Sequence, residues 1–315
     1  MSNRGGAILP DRARIPTRQR IRLPHPRRRR SGRPSLIELL ERPRFEVLPL
    51  RGVEEAVIGR LSESATITVT ASPRQGIAAT VDLAIRLAGH GLHAVPHLSA
   101  RLVRDEAQLK SIMKELTAAG IGEVFVIGGD PEVPVGAFSS SLELLQAMHD
   151  IGHQFRVGVA GYPETHPKII DDITVQSMWD KRMLASYVVS QLCFDPHVLS
   201  DWVRRVRRRG ITLPIHIGIA GPANGARLLR VGGRIGVGTS TRLLGRHAGL
   251  IRAAGPGGWR PDKLIMELAP LCADPDAGIA GLHIYTFNAV GEAEQWRRQL
   301  LQRLTAQRTI GDDLQ

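Results

Sequence analysis

Residues 93–130 read HAVPHLSARLVRDEAQLKSIMKELTAAGIGEVFVIGGD, in which two short apolar runs flank a helical pattern. The runs HAVPHLS (93–99) and EVFVIGG (123–129) are apolar on both faces, as the strands of a buried parallel sheet are. The segment between them, DEAQLKSIMKELTAAG (105–120), has helical periodicity and ends in a glycine, which is typical of a helix stop. The stretch therefore predicts a strand, a helix and a second strand parallel to the first.

The same alternation runs along most of the chain and predicts eight strands. They are RFEVLPL (44–50), ATITVT (65–70), HAVPHLS (93–99), EVFVIGG (123–129), FRVGVAGY (155–162), SYVVSQLCF (186–194), PIHIGIA (214–220) and GLHIYTFN (281–288). Eight strands with helical stretches between them predict an α/β fold of the (β/α)8 TIM barrel type, with extra helices between strands seven and eight. A doubly wound open sheet is the alternative, but no G-x-G-x-x-G motif follows the first strand.

Most of the positive charge lies at the start of the chain. The formal net charge is +12; residues 1–34 hold eleven arginines, no lysine and one acid, which gives +10 and leaves +2 for the rest. Residues 1–36 are also rich in proline, so we expect a disordered basic arm, followed by a barrel catalytic domain (37–308) and a short tail (309–315). The arm has the charge to contact nucleic acid, but a solvated extension is the favoured interpretation.

The composition excludes several classes of protein. The two cysteines, Cys193 and Cys272, lack metal-type spacing and fit a reducing cytosol, so a cytoplasmic location is expected. No apolar run has membrane-spanning length, so no membrane partner is expected. An aromatic content of 4% argues against a stacking platform for single-stranded nucleic acid. The oligomeric state is not predicted by any of these features.

Polar residues and glycines stand at the ends of nearly all the predicted strands, where a (β/α)8 barrel carries its chemistry. They are Glu46, Thr70, His97, Gly129, Asp130, Tyr162, His166, Gln191, Asp195, Gly221, Asn224, Tyr285 and Asn288. Each has a structural alternative, but together they exceed what turns require and indicate an enzyme site. They contain no dense set of metal ligands, so no metal is expected, and no serine nucleophile elbow.

The loop VAGYPETHP (159–167) displays Tyr162, Glu164 and His166 around two prolines. Each proline fixes its own φ and removes a backbone donor, so neither a helix nor a strand continues through the loop. A stiff turn is the simple interpretation. A rigid shelf for a cofactor is the functional one.

The strand ends together resemble the methylenetetrahydrofolate reductase family. The resemblance rests on R-F-E-V-L-P-L, P-H-L-S, G-G-D-P, G-Y-P-E-T-H-P, S-Q-L-C-F-D and L-H-I-Y-T-F-N in this order, from about residue 44 to the last strand. It implies a (β/α)8 barrel that reduces 5,10-methylenetetrahydrofolate to 5-methyltetrahydrofolate with NADH or NADPH, usually through bound FAD. The implied partners are therefore a reduced folate and a nicotinamide dinucleotide.

The resemblance also implies roles for individual residues. Glu46 matches the general acid, which must still hold its proton near neutral pH, so its surroundings are expected to raise its pKa. The positions implied to bind folate are Asp130, Gln191 and Tyr285. The positions implied to bind the cofactor are Thr70, His97, Gly129, Tyr162 and His166.

The chain departs from the family where the flavin phosphates need positive charge. Gly128 stands where the family commonly has arginine, Ala289 replaces a frequent arginine after the last strand, and DDITVQSMWDKRM (171–183) begins with two acids. A pyrophosphate needs cations or a helix N-terminus, so FAD is expected to be weakly held or absent, with hydride passing directly from the nicotinamide to the folate.

Two alternatives remain open. One is the ordinary FAD-dependent reductase, with phosphate cations supplied by Arg182 or Arg227. The other is a barrel without catalysis that acts as a binding protein through its arginine-rich arm.

Overall fold

In the computed structural model, which describes residues 35–62, 64–72, 74–164, 171–224 and 258–312, eight parallel strands form a closed barrel in chain order. The strands are β1 (Arg44–Val47), β2 (Thr66–Val69), β3 (His93–Ser99), β4 (Glu123–Ile127), β5 (Arg156–Gly161), β6 (Tyr187–Ser190), β7 (Ile215–Ala220) and β8 (Ile279–Tyr285). The pairing of β1 with β8 closes the barrel. The predicted (β/α)8 fold is confirmed, with all eight predicted strands present.

Helices precede the first strand and separate the strands that follow. They are α1 (Leu36–Glu41), α2 (Val53–Ile58), α3 (Gly76–Gly89), α4 (Glu106–Ala118), α5 (Ser141–Ile151), α6 (Asp171–Lys181), α7 (Pro196–Arg208), α8 (Asp262–Ala273) and α9 (Val290–Asp312). Between strands seven and eight, α8 is the helix that connects the two strands, and residues 225–257, where the extra helices are predicted, lie outside the described residues. So do residues 1–34, and the domain boundaries predicted at both ends of the chain stay predictions.

No helix in the described part of the chain is long and apolar enough to cross a membrane.

Side chains that follow the strands start several of the helices. Asp105 accepts a hydrogen bond from the backbone of Gln108 and so caps α4. Asp195 caps α7 in the same way, accepting from the backbone N–H groups of His197 and Val198 at 2.8 and 3.3 Å. Asp195 was one of the polar residues assigned to strand ends, and the structure gives it this capping role.

The first strand is shorter than predicted because a side chain replaces its last ladder partners. The Asn288 amide accepts a hydrogen bond from the Leu48 N–H at 2.8 Å and donates one to the Leu48 carbonyl at 3.1 Å. Phe287 and Asn288 have φ of 52° and 61°, so the chain turns sharply there. β1 therefore ends at Val47 instead of reaching Leu50.

Inside the barrel, large side chains occupy space that glycines leave open. A Cβ atom at Gly158 would overlap the ring of Tyr187, and one at Gly281 would meet the imidazole of His216. Both rings are buried. Interiors are packed as densely as organic crystals, so these glycines and rings are fitted to one another.

An ionic centre with a buried pair, Arg44 and Glu123, and an exposed member, Arg156, lies at the amino ends of β1, β4 and β5. Arg44 donates to Glu123 at 2.6 Å and to the Tyr187 hydroxyl at 2.9 Å, and Arg156 donates to the other Glu123 oxygen at 3.2 Å. Burial alone would raise the pKa of Glu123, but Arg44, Tyr187 and Arg156 together hold it below its usual range. We call Arg44, Glu123 and Arg156 the amino-end ionic centre.

Replacing Glu123 by glutamine is expected to lower the free energy of unfolding by about 3–5 kcal/mol, because it leaves the buried Arg44 charge without its partner. Urea unfolding followed by circular dichroism measures the change. The control is Glu106→Gln, which removes a carboxylate from an exposed pair with Lys110 and should cost less than about 1 kcal/mol. Equal effects of the two substitutions would contradict a stabilising role for the ionic centre.

Candidate functional site

Glu46 lies in β1, and its carboxyl group points into the barrel. One carboxyl oxygen is 3.1 Å from Nε2 of His283 on β8 and 3.9 Å from Nε2 of His97 on β3. The Glu46 side chain is 15% exposed, whereas those of the two histidines are 1% and 4% exposed. The site therefore has one slightly accessible carboxyl group between two buried imidazoles.

The two imidazoles are uncharged at neutral pH, where a substantial fraction of the carboxyl group still holds its proton. Burial raises the pKa of Glu46 to about 7, although His97 acts in the opposite direction. Burial lowers the pKa of His283 to about 3, with a further contribution from the charge of Arg44. Burial likewise lowers the pKa of His97 to about 4. The raised pKa of Glu46 is what the general-acid interpretation requires.

His283 is the residue of this site that the sequence reasoning did not single out. It lies two residues before Tyr285 on β8, and its Cα pairs in register with that of Arg44, two residues before Glu46. Alternate residues of a strand share a face. Once Glu46 and Tyr285 were assigned to the barrel interior, the period of two would have added His283.

Among the described residues, Nε2 of His97 has no hydrogen-bond partner although the atom is fully buried. Buried polar atoms are normally satisfied, so this nitrogen is a position where a bound molecule or a water can contribute. The His97 ring also packs on Phe125, with 4.6 Å between ring centroids. His97 therefore lies in the predicted site with its ring held and one nitrogen available.

Gly129 and Asp130 follow β4 and stand beside β5. Gly129 has φ of 98°, a conformation that favours glycine, and its α-carbon packs against the Ser99 hydroxyl. Burial, followed by the negative charge of Asp130, raises the pKa of Tyr162 to about 12. The structure thus brings Asp130 and Tyr162 close together, with the Asp130 side chain exposed.

Tyr285 is the last residue of β8, and Gln191 directly follows β6. Tyr285 pairs in register with Glu46, and its hydroxyl donates to the carbonyl of Ser190 at 3.2 Å. Burial, followed by the charge of Glu46, raises its pKa well above the usual value. The half-buried Gln191 accepts from the backbone of Leu192 at 2.9 Å.

Thr70 lies at the rim, where its carbonyl accepts from the Thr80 hydroxyl at 3.2 Å.

The double-proline loop is described as far as Glu164, whose carboxyl group contacts the Cys193 thiol at 3.5 Å. His166 lies outside the described residues. The shelf predicted from the two prolines therefore stays a prediction, with Tyr162 and Glu164 as the displayed side chains that the structure describes.

Arg182 lies on the opposite face of the barrel from the site, so it does not fit the phosphate-binding role considered from the sequence. It directly follows the last turn of α6. Its guanidinium carbon lies 3.6 Å from the centre of the Trp179 ring, and its Nη1 donates to the Trp179 carbonyl at 2.8 Å. Residues 183–186 line a cavity of about 470 Å³ with residues 152–155, which precede β5. This end of α6 thus lies at the amino ends of the strands, the face opposite the site. The other cation considered, Arg227, lies outside the described residues.

Within the described ranges, no three His, Cys, Asp or Glu side chains form a group that could hold a metal ion.

Replacing Gly129 by alanine is expected to lower the free energy of unfolding by about 1–3 kcal/mol, because an L-residue is strained at this φ. Gly128→Ala is the matched control: an added Cβ there meets no atom within 4 Å, so its effect should stay within about 0.5 kcal/mol. Urea unfolding of both variants measures the difference. Equal stabilities of the two variants would contradict the constraint at Gly129.

Glu46→Gln is expected to become more stable relative to the unmodified protein as the pH rises from about 5 to 8. The folded-state pKa of Glu46 lies above the unfolded value, so the folded protein loses stability as pH rises through this window. Glutamine removes this loss, which amounts to about 2–3 kcal/mol for the shift from 4.5 to about 7. Urea unfolding at several pH values tests it. A stability difference that does not vary with pH would show that Glu46 has an ordinary pKa.

Comparison with known proteins identifies one family. The model for methylenetetrahydrofolate reductase matches residues 56–244, more than half of the chain. Glu46 and His283 lie outside this range, so the fold rather than the match places them in the site.

Relatives with curated descriptions carry the same name. Methylenetetrahydrofolate reductase 2 of Saccharomyces cerevisiae is 28% identical over 188 residues, which cover 54% of this chain and 30% of that protein. Methylenetetrahydrofolate reductase (NADH) 1 of Zea mays is 32% identical over 140 residues, covering 38% of this chain and 24% of that protein. The matched part of this chain thus spans less than a third of the length of each of these relatives.

A solved structure shares the fold. A protein from Clostridium thermocellum that binds two copies of 5-methyl-5,6,7,8-tetrahydrofolic acid superposes with a TM-score of 0.59 at 12% identity. The superposition covers 83% of this chain and 98% of that chain.

Proposed function

The chain belongs to the methylenetetrahydrofolate reductase family, and on that premise we propose that it reduces 5,10-methylenetetrahydrofolate to 5-methyltetrahydrofolate. The observation that carries the proposal is the carboxyl group of Glu46, which has a pKa of about 7 and lies between two uncharged imidazoles. Such a group delivers a proton at neutral pH, and the reaction needs one at its first step.

The proposed chemistry is a proton transfer followed by a hydride transfer. Glu46 protonates the N10 amine of the folate, and the bond between N10 and the bridging methylene carbon breaks. The electron pair of N5 then forms a double bond to that carbon, which gives an iminium ion. Hydride from C4 of the dihydronicotinamide adds to the methylene carbon and produces the N5-methyl group and oxidised nicotinamide. Solvent returns the proton to Glu46.

His283 and His97 keep this proton on Glu46 in the proposal. Burial lowers the pKa of both imidazoles far below neutrality, so neither takes the proton before the folate binds. His283, 3.1 Å from the carboxyl group, also fixes the carboxyl group in position. Orientation of the acid is as important as its pKa, because protonation requires hydrogen-bond contact with the amine.

Asp130, Gln191 and Tyr285 are the proposed folate-binding residues. A carboxylate and an amide together match the donors and acceptors along the edge of a pterin. The folate-binding protein from Clostridium thermocellum, which shares the barrel, supports a folate as the ligand.

NADH is the proposed hydride donor, since plant relatives from Arabidopsis thaliana and Zea mays carry NADH in their names. Thr70, His97, Gly129 and Tyr162 would hold the nicotinamide, with His166 from the undescribed part of the loop.

The described positive side chains of the β5–α6 region do not lie where they could bind the phosphates of a flavin dinucleotide in the site. Lys181 is in the last turn of α6 and Arg182 directly follows it, at the amino-end face, while α6 begins with Asp171 and Asp172. The two formal negative charges that the sequence places at the start of α6 offset the attraction of this helix N-terminus for a pyrophosphate. We therefore propose direct hydride transfer from the nicotinamide to the folate.

The first experiment is a visible absorption spectrum of the purified protein, followed by NADH oxidation with methylenetetrahydrofolate and no added flavin. The proposal expects a colourless protein that turns over and initial-rate lines that intersect, because both substrates must be bound together. Glu46→Gln should lower kcat by at least about a hundredfold.

A yellow protein with parallel initial-rate lines would establish the FAD-dependent reductase instead. Absence of turnover, with or without FAD, would favour the non-catalytic barrel. Unchanged activity in Glu46→Gln would overturn Glu46 as the acid.

A further inference from the structure

The loop between β4 and α5 is tied to the segment that follows β3. The backbone of Arg101, in the short 3-10 helix Ala100–Leu102, bonds to the start and the middle of this loop: its N–H donates to the Gly128 carbonyl and its carbonyl accepts from the Val135 N–H, each at 3.0 Å. The backbone carbonyl of Arg104 adds a further bond from the Ala137 N–H at 2.8 Å. Adjacent loops are thus joined at the carboxyl-end face of the barrel.

The side chain of Arg101 ties the same loop at two more points. Its Nε donates to the carbonyl of Ser139 at 2.8 Å, and one Nη donates to the carbonyl of Pro131 at 2.9 Å. A guanidinium group offers several donors in a fixed plane, so one residue can hold two carbonyl groups at a set separation. Lysine has a single ammonium group and cannot reproduce this geometry.

These contacts fix the backbone on both sides of Asp130. On one side Gly129 packs against the Ser99 hydroxyl, and on the other the Pro131 carbonyl is held by Arg101. The carboxylate between them is exposed and stands near Tyr162. Arg101 therefore constrains the backbone from which the Asp130 side chain projects.

Apolar packing contributes little to holding the tip of this loop. Val133 is 79% exposed and Val135 is 56% exposed, so neither anchors the tip in the core. Phe138 anchors the end of the loop nearer α5 in the core, so the part around Val133 and Val135 depends mainly on its hydrogen bonds for a single conformation. The two bonds from the guanidinium group are charge-assisted, which makes them stronger than bonds between neutral groups.

We propose that Arg101 is a positioning residue for the folate substrate, holding the β4–α5 loop so that Asp130 faces the pterin. This inference rests on the proposed function, because it assigns Asp130 to the folate. Arg101 acts through Asp130 and makes no contact with the reacting atoms.

The test compares Arg101→Met, Arg101→Lys and the control Arg104→Met. The control also removes one positive charge, but the side chain of Arg104 is exposed and only its backbone holds the loop. Titration with 5-methyltetrahydrofolate gives the folate Kd, and steady-state kinetics give KM for both substrates. We expect Arg101→Met to raise the folate Kd and KM about tenfold, Arg101→Lys to raise them less, and the KM for NADH to stay unchanged in all three.

A second comparison shows whether Arg101 acts through Asp130. Arg101→Met is combined with Asp130→Asn, and the folate Kd of the double variant is compared with those of the single variants. If Arg101 positions Asp130, adding Arg101→Met to Asp130→Asn changes the Kd by less than about twofold. Additive effects would show that the arginine contacts the folate directly, for example at its glutamate carboxylates, and would overturn the proposal.

Two other results would also overturn it. If Arg101→Met lowers only the thermal stability and leaves the folate Kd unchanged, the residue is purely structural. If Arg104→Met weakens folate binding as much as Arg101→Met, loss of charge explains the effect. If the unmodified protein does not bind 5-methyltetrahydrofolate, the proposed function fails together with this inference. If it binds the folate but the variants do not behave as expected, the inference alone fails.

Discussion

The pairing of β1 with β8 is the interaction on which the site depends. It sets Glu46 opposite Tyr285 and Arg44 opposite His283, and so places the carboxyl group beside a buried imidazole. Thr286 strengthens the closure, since its hydroxyl donates to the Glu46 carbonyl at 2.6 Å. If these strands separated, water would reach Glu46 and its pKa would return towards that of an ordinary carboxylic acid, because burial is the main cause of the shift.

The barrel interior holds two kinds of ionisable group in separate layers. At the amino ends, charged groups compensate one another, as Glu123 does with Arg44 and Arg156. Nearer the carboxyl ends, Glu46 is held beside histidines that burial keeps neutral, so the acid avoids the cost of a buried charge by keeping its proton. Arg44 belongs to the first layer, but its charge also lowers the pKa of His283. The layer that stabilises the fold therefore contributes to the protonation state of the site.

The sequence predicted the fold well because buried parallel strands leave a strong local pattern. It also identified Glu46, since a carboxyl group within a first barrel strand is unusual. His283 was missed because a histidine in an apolar strand resembles a core residue, although the alternation that assigns Tyr285 to the interior assigns His283 there too. The position of Arg182 could not be predicted because it depends on how far α6 extends. The link between Arg101 and the β4–α5 loop could not be predicted either, because the arginine binds backbone carbonyl groups, which no residue pattern reveals. Contacts that depend on the backbone or on the length of a helix are thus the ones that the residue pattern could not supply.

The glycines inside the barrel have a consequence for how this interior can change during evolution. The ring of Tyr187 fills the space that a side chain at position 158 would need, and His216 does the same at position 281. A larger residue at either glycine fits only if the partner ring is replaced by a smaller side chain, and that replacement alone leaves a cavity. Substitutions at these pairs must therefore arrive together, and the two positions of each pair should covary among relatives that share this interior.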